Sequence, residues 1–201
     1  MSQRAYLGTR KGLFQFDVDG GGAWQLALAH FAGDPVSMLL HDSRDGALYA
    51  ALNLGHFGAK LHRRDAGGAW QEIAVPAYPA KPEDSSDTID WTLRQIWSLA
   101  AGGPDQPGVL WAGTLPGGLF RSNDRGDSWQ LVESLWNVRQ RAQWFGGGYD
   151  VPGIHSICVD PRDSHKVLVG VSCGGVWQTV DGGASWALSA TGMRADYMPP
   201  E

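Results

Sequence analysis

The sequence has few cysteines and no long apolar run, and these shortages exclude whole classes of protein. Two cysteines, Cys158 and Cys173, among 201 residues cannot form a disulfide framework. A predicted hairpin that pairs Val159 with about Val167 sets Cys158 opposite about Leu168, so we expect the two thiols to lie apart and to be free. No stretch approaches the roughly 20 apolar residues of a transmembrane helix, and residues 1–8 lack the apolar centre of a signal peptide. We therefore expect a cytoplasmic protein with no membrane partner.

The chain also lacks a large excess or cluster of positive charge. The formal net charge is -5 at pH 7, and the lysines and arginines are scattered rather than clustered. Because a nucleic-acid site needs a basic patch or stripe, we predict no nucleic-acid partner. The histidines and carboxylates show no spacing typical of metal ligands, so we predict no metal and no other cofactor.

Glycine and tryptophan are abundant instead, with 28 and 10 residues. Many tight turns and a large aromatic side chain in each repeat are typical of repetitive β architectures. With 43% hydrophobic and 18% charged residues, the chain can bury a core. The composition therefore favours a globular β protein.

One pattern recurs four times: a β-rich run, a turn with glycine, a second run, a short Asp/Gly loop and a tryptophan. The tryptophans, Trp24, Trp70, Trp129 and Trp186, are about 46 to 59 residues apart, near or above the period of propeller repeats. A further apolar run precedes the last three copies and supplies a fourth strand. We predict an all-β fold, a β-propeller of four-stranded antiparallel blades. The four predicted blades are approximately residues 5–28, 35–74, 95–132 and 153–189.

The first blade begins directly at its second strand, near Tyr6, and therefore lacks its inner strand. Residues 190–201 contain two prolines and no apolar alternation, so they do not supply that strand. We expect an N-terminal fragment, an incomplete arc of a larger propeller in which the first and fourth blades do not touch. A closed ring of four blades is the alternative.

The Asp/Gly loops at residues 122–129 and 179–186 share the pattern Ser/Thr-x-Asp-x-Gly-x-Ser-Trp. The loops at residues 17–24 and 63–70 keep only the aspartate, glycine and tryptophan. A carboxylate in such a loop can accept backbone N–H groups, glycine can take a positive φ, and the tryptophan is expected to bury its ring. We therefore assign a folding role rather than a catalytic one to the four loop aspartates, Asp19, Asp65, Asp124 and Asp181.

On these loops, and on residues 115–122 (LPGGLFRS) and 174–177 (GGVW), the whole chain resembles the bacterial BNR or Asp-box repeat proteins. This group belongs to the WD40/YVTN/BNR-like β-propeller superfamily, whose members are often labelled sialidase-like or glycosyl hydrolase-like. The resemblance implies the propeller fold and, if the chain is an enzyme, a glycosyl hydrolase-like activity. The Arg-Ile-Pro segment of true sialidases is absent. Arg10 stands near its expected place, but no Tyr/Glu nucleophile pair can be assigned to Tyr149.

The two longest insertions, within residues 72–93 and 132–153, connect successive blades. In an up-and-down blade these connections share one face, here called the loop face, with the turns between second and third strands. The Asp/Gly loops lie on the opposite face, the turn face. Long loops on a rigid scaffold are where binding groups usually lie. The candidate ligand-binding residues on the loop face are Arg10, Lys11, His56, Trp136, Arg141, Trp144, Tyr149, Asp150 and His155.

This mixture of aromatic, cationic and carboxylate groups suits a small polar ligand or a carbohydrate. Alternatively, Trp136, Trp144 and Phe145 pack the insertion onto its blade. A glycosidase needs two carboxylates across the bond it cleaves, and the sequence does not pair the candidates. These candidates are Glu72, Glu83, Asp84, Asp87, Asp90, Glu133 and Asp150. We predict a propeller whose loop face binds a small polar ligand or partner. A sialidase-like or other glycosidase, and an assembly module, are the alternatives, and the oligomeric state is left open.

Overall fold

The structure, a computed structural model, describes residues 3–193, and four antiparallel sheets follow one another along this part of the chain. We call them blades 1 to 4. Blade 1 contains β1 (Arg4–Thr9), β2 (Gly12–Val18) and β3 (Trp24–His30). Blade 2 contains β4 (Val36–His41), β5 (Leu48–Asn53), β6 (Ala59–Arg64) and β7 (Trp70–Ile73). Blade 3 contains β8 (Gln95–Ala101), β9 (Leu110–Leu115), β10 (Leu119–Ser122) and β11 (Gln130–Leu131). Blade 4 contains β12 (Ile154–Asp160), β13 (Asp163–Val171), β14 (Gly175–Thr179) and β15 (Ala187–Leu188). Helix α1 (Glu133–Trp136) and two 3₁₀ turns, Gly55–Phe57 and Arg139–Gln143, lie in connections.

The predicted fold class is confirmed. Each sheet is a meander in which strands pair in chain order, and blade 1 has three strands where the others have four. Neighbouring blades pack in sequence: β1, the first strand of the three-stranded blade 1, contacts β4, and the inner strands β4, β8 and β12 contact one another in that order. The prediction that residues 190–201 do not complete blade 1 falls mostly on residues 194–201, which lie outside the described part.

The core lies between the blades. In β9, Leu110 faces a cluster shared with blade 2, whereas Trp111 faces a cluster shared with blade 4. Neighbouring residues of one strand point to opposite faces of its sheet, so a blade between two others buries both sets. This explains why all residues of β9 are buried.

Hydroxyl groups also join the blades. Ser37 of β4 donates to the carbonyl of Ile96 at 3.1 Å, and Ser98 of β8 donates to the carbonyl of Ile154 at 2.9 Å. Each bond satisfies a carbonyl at the interface of two inner strands. The interfaces therefore combine apolar packing with a polar connection at an equivalent place.

Two Asp/Gly loops hold themselves together through a hydroxyl and a carboxylate. In the first, Ser122 Oγ accepts the N–H of Gly126 at 2.8 Å and Asp124 Oδ1 accepts that of Ser128 at 2.9 Å. Gly126 has a φ of 89°, which a residue with a Cβ rarely adopts. The loop carrying Asp181 repeats the arrangement. In both loops, the aspartate side chain accepts a hydrogen bond from the backbone of the same loop.

The other two loops depart from this arrangement in different ways. Asp19 still accepts the N–H groups of Gly21 and Ala23, at 2.9 and 3.0 Å. Asp65 instead binds the guanidinium of Arg125 on blade 3, at 2.5 Å. Its carboxylate therefore connects two blades rather than closing its own turn.

The expectation that the periodic tryptophans bury their rings is wrong for Trp24, which is 51% exposed on the edge strand of blade 1. Trp129 is partly buried, and its indole N–H reaches the carbonyl of Ala74 at 3.0 Å. The most buried tryptophan is Trp111, which lies outside the periodic positions. Ring burial thus follows the position between blades rather than the repeat.

Both cysteines are free, and Cys158 pairs across its hairpin with Leu168. The sequence predicts this register from Val159 facing Val167, and the structure confirms it. No helix in the described residues is long and apolar enough to cross a membrane.

Candidate functional site

A cleft of about 700 Å³ opens on the loop face where blades 1, 2 and 3 meet. Three kinds of segment converge on it. They are the β1–β2 turn with Arg10, the end of β5 and the following connection with Asn53 and Phe57, and the connections between blades with Asp34, Tyr149 and the adjoining Gln95 at the start of β8. Residues far apart in the sequence thus share one opening. The loop face therefore carries a cleft to which distant segments of the chain contribute.

A β-bulge occurs at the same place in each of the inner strands β4, β8 and β12. The extra residues are Ser37, Trp97 and His155, near the loop-face end of each strand. A bulge bends its strand and redirects a side chain, and bulges are frequent beside functional sites. Here Ser37 lines the cleft, and Trp97 supports Tyr149, which also lines it.

Two aromatic rings of the cleft are largely exposed. Phe57 is 72% exposed at the end of the 3₁₀ turn, and Tyr149 is 48% exposed in the insertion before β12. Phe57 packs against His56, with ring centroids 4.0 Å apart, while Tyr149 lies edge-on to Trp97 at 5.2 Å. Each ring thus packs against one neighbouring ring and leaves much of its remaining surface exposed to solvent. Such surfaces can pack against the apolar faces of a bound ligand.

The polar groups of the cleft are partly oriented by one another. The amide of Asn53 donates to Gln95 Oε1 at 3.0 Å, which connects the end of β5 with the start of β8. Because that bond uses the Gln95 oxygen, the Gln95 NH₂ group remains a donor. Arg10 and Asp34 are the two charged side chains among the described residues that line the cleft. The cleft therefore offers donors and acceptors beside two apolar rings.

One carboxylate, that of Asp34, lines the cleft among the described residues. Of the candidate carboxylates, Glu72, Asp87 and Asp150 have partners outside the cleft. Glu72 is bound by Lys60 at 2.6 Å, and this hydrogen bond lowers the pKa of the Glu72 carboxyl. Asp150 is exposed and lies 3.8 Å from Arg94.

Three groups interact with the carboxylate of Asp87. Burial acts to raise the pKa of the Asp87 carboxyl, but the N–H of Ile89, the Trp91 indole and Arg141 outweigh it and lower this pKa. A general acid of a glycosidase needs a raised pKa, so neither Asp87 nor Glu72 has the environment of one.

The nine candidate residues separate into two groups. Arg10 and Tyr149 line the cleft. Lys11, His56 and Asp150 are adjacent in the sequence to the lining residues Arg10, Phe57 and Tyr149. The ring of His155 lies 5.9 Å from that of Trp97, which packs against Tyr149.

Trp136, Arg141 and Trp144 form the second group, and their side chains pack against other parts of the protein. Trp144 is buried against Trp177, and Arg141 lies 3.5 Å above the ring of Trp136 while binding Asp87 at 2.6 Å. These contacts occupy the surfaces that a ligand would use. The packing alternative therefore describes Trp136 and Trp144, whereas Phe145, which it also included, is 51% exposed.

Sequence reasoning missed Phe57, Asp34, Asn53 and Gln95. The sequence did contain an indication of an exposed Phe57, because a large apolar residue in a turn between Gly55 and Gly58 is rarely buried. The sequence contained no indication that Asn53 pairs with Gln95, because the two residues are 42 positions apart and lie on different blades. No group of three His, Cys, Asp or Glu residues among residues 3–193 is placed to hold a metal ion.

The fold and the site define a β-propeller with a polar and aromatic cleft at one end. No family model matches the chain. A xyloglucanase of Paenibacillus sp. is 29% identical over 137 residues, which is 62% of this chain and 12% of that protein. A probable oligoxyloglucan-reducing end-specific xyloglucanase of Neosartorya fischeri is 33% identical over 84 residues, 41% of this chain and 9% of that protein. The chain thus spans only a small part of these curated relatives.

Solved structures share the propeller fold. The GH74 xyloglucanase of Xanthomonas campestris has a TM-score of 0.59 at 24% identity, covering 89% of this chain and 26% of its own. The GH74 enzyme of Niastella koreensis has a TM-score of 0.55 at 18% identity, covering 92% and 28%. YCF48 of Cyanidioschyzon merolae has a TM-score of 0.56 at 17% identity, covering 91% and 52%. At these identities the likeness concerns the fold alone.

Proposed function

We propose that the loop-face cleft binds a neutral glycan of the xyloglucan class, as part of a glycosyl hydrolase-like β-propeller. The observation that carries this proposal is the pair of exposed rings, Phe57 and Tyr149, in one cleft with the oriented amides of Asn53 and Gln95. Sugar rings present apolar C–H faces and rims of hydroxyl groups. A cleft with aromatic surfaces beside amide groups suits both features.

The sequence relatives support the choice of glycan, because both are named as xyloglucanases.

We also propose that the Asp/Gly loops are BNR or Asp-box repeats, which the hydrogen bonds of Asp124 and Asp181 support. An assembly module would be expected to have an apolar mouth. The charged Arg10 and Asp34 argue against that alternative.

The cleft of this chain is proposed to bind rather than to cleave. Hydrolysis requires an acid and a second carboxylate on either side of the glycosidic bond, and Asp34 is the one carboxylate among the described residues of the cleft. Turnover is the second candidate function, because the curated relatives are named as xyloglucanases.

Calorimetric titration with a xyloglucan oligosaccharide tests the binding proposal. Phe57→Ala and Tyr149→Ala should each weaken the affinity about tenfold, because each removes one stacking surface. Phe145→Ala is the matched control, since Phe145 is 51% exposed in the same insertion but does not line the cleft. Equal affinity of the wild type and both cleft variants would refute the site.

An assay of released reducing ends on the same oligosaccharide separates binding from turnover. We expect binding without release. Release that disappears in Asp34→Asn but persists in Asp124→Asn would instead establish hydrolysis at this cleft.

A further inference from the structure

A second cavity of about 570 Å³ lies on the turn face, between β1 and blade 2. Its polar lining comes from Arg4 and Tyr6 of β1, His41 at the end of β4, and Arg64 and Asp65 where β6 enters its Asp/Gly loop. The strands β1 and β4 separate this cavity from the cleft, because their opposite ends line the two openings.

Arg64 is held in this cavity by neutral groups. One terminal nitrogen donates to the Tyr6 hydroxyl at 3.1 Å, and the other lies 3.3 Å from His30 Nε2. The guanidinium carbon also lies 5.1 Å from the ring centre of Trp70. Burial, followed by the charge of Arg64, lowers the pKa of the His30 imidazole, so a neutral His30 accepts this bond. The guanidinium plane is thus oriented without a carboxylate.

The other charges around the cavity already have partners. Arg4 binds Asp17 at 2.7 Å, and Asp65 binds Arg125 at 2.5 Å. Among the described residues Arg64 forms no ion pair, although arginines in partly buried positions usually have one. A guanidinium has five N–H donors, of which the two contacts of Arg64 use two. The cavity therefore contains an oriented cation with unused donors.

We propose that this turn-face cavity binds a small oxyanion, a carboxylate or a phosphate group, on the guanidinium of Arg64. The planar fork of arginine matches two oxygens of either group. The Tyr6 hydroxyl accepts a bond from Arg64 and keeps its own proton to donate to the anion. His41 is exposed at the opening and supplies another polar contact. This site is independent of the glycan proposed for the cleft.

Titration of the full chain with sodium phosphate and with sodium glucuronate, at constant ionic strength and followed by NMR of the backbone amides, tests the proposal. We expect saturable shifts of the amides of Tyr6, His41 and Arg64 with at least one of the two anions. A response to phosphate alone identifies a phosphate source, and a response to glucuronate alone identifies an acidic sugar. No saturable shift with either anion, or the same shifts with sodium chloride, would overturn the proposal.

Variants separate a binding role from a structural one. Arg64→Gln should weaken the affinity at least tenfold, and Tyr6→Phe, which keeps the ring beside Arg64, should weaken it several-fold. Arg162→Gln is the control, because Arg162 is 86% exposed on the same face and already binds Asp160 at 2.9 Å. Unchanged affinity in folded Arg64→Gln, or in Tyr6→Phe if the former does not fold, would contradict the assignment.

Discussion

At the scale of the residue, three aspartates of the Asp/Gly loops, Asp19, Asp124 and Asp181, stabilise turns by accepting hydrogen bonds from their own loops. Asp181 accepts the Ser185 hydroxyl at 2.5 Å and the Ser185 N–H at 2.9 Å, and it also accepts the Thr179 hydroxyl at 2.7 Å. Led by the Ser185 hydroxyl, these bonds favour the ionised form and lower the pKa of the Asp181 carboxyl from its ordinary 3.8 to about 2.

Asp181→Asn tests this coupling of turn and charge. Since the pKa is lower in the folded state, ionised Asp181 stabilises the fold above about pH 4, and this contribution disappears as the pH falls towards 2. Denaturant unfolding of the wild type between pH 5 and about pH 2 should therefore show a loss of unfolding free energy that is smaller in Asp181→Asn. Ser185→Ala should give an intermediate slope. Identical slopes in all three proteins would contradict the proposed role of the carboxylate.

At the scale of the element, a strand's position between blades decides how much a large side chain stabilises it. Trp111 is 1% exposed in β9, between blades 3 and 4, whereas Trp24 is 51% exposed in β3, at the outer edge of blade 1. Both are tryptophans at strand positions. Their positions make them different, because Trp111 lies in an internal strand covered by the next blade and Trp24 lies on an edge strand.

Replacing each of these tryptophans with alanine measures that difference. Trp111→Ala should lower the unfolding free energy by about 3–5 kcal/mol, because it removes a large buried ring and leaves a cavity. Trp24→Ala should cost less than about 1 kcal/mol, since half of its ring already contacts solvent. The two values come from denaturant midpoints of otherwise identical proteins. Equal losses would show that the blades do not pack as described.

At the scale of the whole molecule, the first and fourth blades differ from the two between them. Blade 1 exposes about half of Leu26 and Leu28 on its outer strand, and blade 4 exposes half of Leu188. The strands β5 and β9 of blades 2 and 3 are almost entirely buried, whereas β2 of blade 1 and β13 of blade 4 keep several partly or fully exposed positions. Apolar side chains on an exposed sheet edge favour association between molecules.

We expect the apparent mass of the protein in light scattering to rise with its concentration. The double variant Leu26→Lys and Leu28→Lys should reduce this rise, because it places charges on the edge strand. Gln25→Lys is the control, since it adds a charge to the same strand without removing an apolar side chain. A mass that stays constant in the wild type would contradict the expectation.

Local interactions explain what could be predicted from the sequence. Strand alternation, turn residues and the Asp/Gly loops depend on neighbours within a few positions, so the meander, the blades and the Cys158–Leu168 register follow from them. The sequence also predicts which end of the molecule carries the cleft, because successive turns of a meander lie alternately on the loop face and the turn face. Arg10 and Tyr149 were placed there by this argument.

Contacts between blades decided the rest. Asn53 meets Gln95 across 42 positions, and Tyr6 meets Arg64 across 58, so no local pattern contains either pair. Trp144 and Tyr149 belong to one insertion, yet one ring is buried against Trp177 and the other lines the cleft. The sequence by itself determined which elements form and which way they face. Only the tertiary structure decided which side chains meet, because burial and pairing here depend on packing between strands that are distant in the chain.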